Sequence, residues 1–79
     1  MGGALPVVSG RRAVRVFGRA GFEFLAGRGK GSHMAMFRKT PPCLLTIPDH
    51  RELDRGTLRG LIRAAGMTVD QFVTLEREV

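Results

Sequence analysis

Three short apolar runs, each bounded by glycine or proline, lie between two stretches whose apolar residues recur at helical spacing. That order restricts the chain to a small layered α+β domain. The runs are 22–26 (FEFLA), 33–38 (HMAMFR) and 44–47 (LLTI). The first two are joined by Gly27-Arg28-Gly29-Lys30-Gly31-Ser32, a glycine-rich basic connection. The second is broken by Thr40-Pro41-Pro42 and the third by Pro48, because proline cannot donate to a strand ladder. Short connections between three strands predict an antiparallel meander.

The flanking stretches predict helices. After Ser9, a candidate N-cap, Ala13, Val16, Phe17 and Ala20 fall at i, i+3, i+4 and i+7, and Gly21 supplies a left-handed stop. Arg11, Arg12, Arg15 and Arg19 then project from the opposite face. Gly18, inside this helix, costs about 1 kcal/mol relative to alanine, so a close packing contact is expected there. Leu58, Leu61, Ile62 and Ala65 repeat the spacing in a second helix closed by Gly66. A short last helix opens with the capping box Thr68-x-x-Gln71, with Met67 and Phe72 placed as a hydrophobic staple. The expected order is α-β-β-β-α plus a terminal helix, with one sheet face covered and the other open.

At 79 residues the chain is read as one domain, residues 1–79, with residues 1–8 flexible. A single cysteine, Cys43, excludes an internal disulfide and fits a reducing compartment. No apolar stretch approaches the ~20 residues that span a bilayer, and Met1 to Ser9 lacks the pattern of a signal peptide, so a cytoplasmic protein without membrane contact is expected. Charge narrows the function further. The net charge of +6 is unevenly placed: Gly10 to Lys39 holds eight basic residues and one acid, Glu23, whereas Thr40 to Val79 holds five arginines against six acids. A positive field of this kind favours a polyanion, and nucleic acid is the commonest. An arginine-rich proteome would give the same composition without that demand.

The segment 28–33 (RGKGSH) draws most attention. Backbone N–H groups of such a loop, those of Gly31 and Ser32 among them, can approach a phosphate closely, and Lys30 adds charge. An imidazole is the side chain suited to moving a proton at neutral pH, which makes His33 a candidate for chemistry on a ribose hydroxyl. A solvent-facing histidine without a task is the competing reading of that residue alone. His50, among Asp49, Glu52 and Asp54, offers one imidazole plus carboxylates, a weak match to a zinc site and a better one to a polar turn before a helix. His50 is accordingly read as structural, and no metal or other cofactor is expected. Arg55, Arg59 and Arg63 form a row along the second helix that suits solvent, an acidic partner or phosphates equally.

Gly21-Phe22, Lys30-Gly31-Ser32-His33, Thr46-Ile47-Pro48-x-His50-x-Glu52-Leu53 and Gly56-Thr57-Leu58-Arg59-x-Leu61-x-Arg63-x-Ala65-Gly66 follow one another in order. Together, from about Leu5 to Leu75, they resemble the HicA family of toxin mRNA interferases. The resemblance implies a fold like the double-stranded-RNA-binding domain, ribonuclease activity against mRNA, one essential histidine falling on His33, and a HicB antitoxin covering the active surface. Many members carry a second histidine where this chain has Met34, so a mechanism with two loop imidazoles does not transfer.

The expected function is therefore a metal-independent endoribonuclease toxin that blocks translation. His33 is the catalytic residue, and Arg28, Lys30, Gly31, Ser32, Arg38 and Lys39 bind RNA phosphate. The alternative is a non-catalytic RNA-binding module of the same fold, reading A-form shape. His33 separates the two, since a pure binder would be served as well by lysine or arginine.

Overall fold

In the computed structural model, which describes residues 5–25 and 32–79, the elements follow the order α1 (Gly10–Arg19), β1 (Glu23–Leu25), β2 (His33–Arg38), β3 (Cys43–Pro48), α2 (Arg55–Ala64) and α3 (Val69–Glu78). The strands form one antiparallel sheet in the order β1-β2-β3. The α+β class and the α-β-β-β-α succession are those expected from the apolar pattern.

Local chemistry explains each boundary. The Ser9 hydroxyl accepts from the Arg12 N–H at 3.0 Å, filling one of the donors left open at the start of α1. At the far end Gly21 takes φ 98°, while the Phe22 N–H reaches back to the Phe17 carbonyl. Phe22 therefore belongs to the helix-ending turn, and β1 begins one residue later than the apolar run suggested. Gly66, at φ 75°, closes α2 in the same way. The capping box of α3 is complete, with Thr68 and Gln71 exchanging side-chain-to-backbone bonds of 3.1 and 2.9 Å.

Period-two alternation divides the sheet into two faces. Met34, Met36, Leu45 and Ile47 point toward the helices, where Ala13, Val16, Phe17, Leu58, Ile62 and Phe72 complete the core. Phe17 is its centre: Phe22 meets it edge-on at 5.8 Å and Phe72 lies tilted at 5.4 Å. The opposite face carries Glu23, Leu25, His33, Ala35, Phe37, Leu44 and Thr46.

Three expectations change here. The N-terminal segment is not loose from Leu5 onward: Leu5 and Val8 are buried, and the Val8 carbonyl accepts from the Leu53 N–H at 2.9 Å. The last helix is as long as the other two and places Phe72 in the core, with Arg12 tying its end to α1 through Glu76 at 2.8 Å. Gly18 is exposed and has no close neighbour. The glycine that packs tightly is Gly10, where a Cβ would fall 1.9 Å from the Pro48 carbonyl oxygen.

Candidate nucleic-acid interface and active site

His33 opens β2 and faces the uncovered side of the sheet, where it is exposed. Its position is fixed by backbone pairing. His33 is opposite Pro48, and the Ser32 carbonyl accepts from the Asp49 N–H at 2.5 Å. Asp49 is held in turn by a two-pronged contact with Arg11, 3.1 Å from Nε and 3.2 Å from Nη2. The helix α1, the β3–α2 connection and the start of β2 are thereby linked at the strand end that carries the imidazole.

The Arg11 hydrogen bonds hold the Asp49 carboxyl below the usual carboxylate range; partial burial opposes this, and the charges of Arg11 and His50 add to the lowering. A carboxyl depressed in the folded state favours folding above its unfolded pKa, and that contribution is lost as pH falls through the lower, folded value. Arg11 is solvent-exposed, so the stabilisation is small. Arg11→Ala should move the Asp49 titration upward, toward ordinary carboxylates. NMR titration of the side-chain carboxyl reads this directly, and an unmoved Asp49 would mean that the pair does not form in solution.

The residues expected to bind phosphate separate. Arg28, Lys30 and Gly31 lie outside the described residues. Ser32 is exposed next to His33. Arg38 does not join them. Five residues along the strand from His33, it points to the covered side, donating 2.7 Å to the Ala65 carbonyl and 3.0 Å to that of Pro41. Its guanidinium also lies 4.8 Å from the centre of the Phe22 ring. A cation at the C-terminus of α2 satisfies a carbonyl that the helix itself leaves open, and Cys43 Sγ does the same for Ala64 at 3.3 Å. Arg38 is thus a clamp between sheet and helix. Lys39 is exposed, but it stands just beyond the opposite end of β2, about 20 Å along the strand from His33 at ~3.3 Å per residue.

Sequence reasoning passed over Arg15. Its neighbours on α1 have partners: Arg11 binds Asp49, Arg12 binds Glu76 and Arg19 binds Glu78. Arg15 has no ion pair among the described residues and lines a groove of about 490 Å³ with Arg11, Val14, Phe24, Met34 and Asp49. The signal was present in the four-residue spacing of these arginines, but spacing does not reveal which of them finds an acid. His50 has its backbone in use, its carbonyl accepting from the Gly10 N–H at 2.9 Å, while its side chain is exposed. The structural role expected of it is carried by the main chain. No group of three His, Cys, Asp or Glu residues is arranged to hold a metal ion among the described residues, and no helix there is long and apolar enough to cross a membrane.

The chain is thus a small basic α+β domain with an exposed imidazole at the start of the middle strand, on the open sheet face. The family model for the HicA toxin of bacterial toxin–antitoxin systems matches residues 10–67, from the first residue of α1 to the turn after α2. This chain belongs to that family, and its role is that of the toxin in such a system, with an antitoxin as its partner. No curated protein matches the chain.

Proposed function

We propose that this toxin is an endoribonuclease that cuts mRNA without a metal ion, using His33 as its catalytic residue, and thereby blocks translation. The observation that carries the reading is the placement of His33: an exposed imidazole on the open sheet face, which follows the cationic glycine-rich sequence 28–31 in the chain, in a member of a toxin family. His33 takes the proton of the ribose 2′-hydroxyl as that oxygen attacks the adjacent phosphorus. The bond to the 5′-oxygen breaks, and the departing oxygen is protonated by water or by Lys30. Lys30 and Arg28 stabilise the charge that builds on phosphorus.

Metal independence follows from local composition. Two-ion nucleases need several carboxylates converging on ions about 3.5–4 Å apart. Lys30 to Lys39 contains no acid, and the nearby Asp49 carboxylate is committed to Arg11. A HicB-type antitoxin would silence the enzyme by covering the face that carries His33, with acidic groups complementing the basic half of the chain.

The test is product chemistry. Purified protein and an end-labelled RNA should give 2′,3′-cyclic or 3′-phosphate ends and 5′-hydroxyl ends, with cleavage continuing in excess EDTA. RNA carrying 2′-O-methyl at the cut site should resist. Products with 5′-phosphates, or activity restored to an EDTA-treated sample only by Mg²⁺, would sink the mechanism. Binding without cleavage would return the alternative of a non-catalytic RNA-binding module.

A further inference from the structure

Phe37 lies on the same face of β2 as His33, four residues further along, and about a third of its surface is exposed. Its ring offers an apolar, π-bearing face to a ligand that crosses the sheet. The other exposed aromatic among the described residues, Phe24, pairs with Met36 and therefore lies on the helix-facing side, at the rim of the Arg15 groove. The line from His33 to Phe37 runs over Ala35, whose small side chain leaves the floor between them low. At ~3.3 Å per residue the separation is about 13 Å, a span of a few nucleotides.

The surroundings of Phe37 are mixed in character. Across the strands it is flanked by Leu44, exposed by 60%, and by Glu23. Glu23, Lys39 and Gly21 join it in lining a cavity of about 320 Å³. Lys39 provides a cation for a phosphate at the edge, while Glu23 repels one from the middle of the row. A nucleobase suits this arrangement better than a backbone: its face lies on the Phe37 ring, Leu44 shields one side, and Glu23 can accept from an exocyclic amine.

We infer that the open sheet face is a track for single-stranded RNA, on which Phe37 stacks a base a few nucleotides from the phosphate presented to His33. The inference rests on the proposed ribonuclease reading and adds the substrate class, since stacking on a sheet aromatic requires an unpaired base. Phe37 is a positioning residue, not a catalytic one. Its stacked base fixes the register of the strand, so its loss should raise KM more than it lowers kcat.

The chain has no tryptophan, so Phe37→Trp introduces a single indole reporter at the platform. In a His33→Ala background, which prevents cleavage, the indole fluorescence should be quenched on titration with a short unstructured RNA. A blunt RNA duplex of the same length should quench it weakly. Phe37→Leu, which keeps an apolar side chain but removes the π face, should weaken single-strand binding about tenfold, whereas Phe37→Tyr should retain it. Circular dichroism establishes that each variant is folded. Equal quenching by duplex and single strand would overturn the inference, as would unchanged RNA affinity in Phe37→Leu. Loss of antitoxin binding alone in Phe37→Leu would overturn it too, by making the row a protein interface. Because these readouts measure binding, failure of the cleavage mechanism leaves them interpretable. Selective quenching by single strands, alongside a His33→Ala protein that cuts as wild type does, would refute the His33 assignment and support the RNA track.

Discussion

His33→Ala is expected to reduce RNA cleavage by about 10²- to 10⁴-fold, the range over which a positioned proton-transfer group contributes to rate. The protein should remain folded, because the His33 side chain is exposed and has no hydrogen-bond or ion-pair partner among the described residues. The strand around it is held by backbone pairing with β3, which alanine preserves. A thermal melt matching wild type, together with loss of cleavage of a labelled oligonucleotide, therefore identifies chemistry and not unfolding. Added imidazole should recover part of the lost rate by supplying the missing proton acceptor. Induced in cells, wild type should arrest growth and degrade mRNA, and the variant should do neither. A variant that stays toxic at equal abundance would remove His33 from the mechanism.

Gly10→Ala should be the most disruptive single-methyl change in the fold, costing about 3 kcal/mol or more. A Cβ at Gly10 would fall 1.9 Å from the Pro48 carbonyl oxygen and 3.2 Å from Asp49 Cα, both main-chain atoms that no side-chain rotation can move. Relief requires α1 to withdraw from the β3–α2 connection, which also stretches the bond between the Gly10 N–H and the His50 carbonyl. The loss is a large share of the stability of so small a domain and would lower Tm by roughly 4–8 °C per kcal/mol. Gly18→Ala is the matched comparison. That position is helical, exposed and unobstructed, so alanine should stabilise the protein by up to about 1 kcal/mol. Urea titrations of the two variants should move in opposite directions. Equal effects would mean that α1 does not seat on Pro48 as described.

These two glycines show how far a single sequence reaches. Both lie in the same helix, and local propensity assigns them the same cost. The pattern along α1 suggested a contact at Gly18, yet Gly10 is the one against a neighbour 38 residues away. Elements whose signal is local were readable: β2 from its apolar run and the prolines after it, the ends of α1 and α2 from Gly21 and Gly66, and the start of α3 from its capping box. The docking of Leu5 and Val8 was not readable, because a short apolar segment without periodicity carries no sign of the surface it will meet.

The candidate site divides along the same line. Residue identity and spacing are enough to define the basic first half, the histidine behind a glycine-rich cationic segment, and the ordered motifs of the family. They do not say which cations are free. Charge is a property of the side chain, but availability depends on what the fold brings within about 4 Å of it. Arg38 was drawn to the open carbonyls at the end of α2, Arg11 to Asp49 and Arg12 to Glu76, while Arg15 has no ion pair among the described residues and stays beside the groove. Strand alternation likewise put His33 and Phe37 on the uncovered face and turned Arg38 away from it. The strand was visible in the sequence as an apolar run, but which face the helices would cover was settled by where α1, α2 and α3 pack.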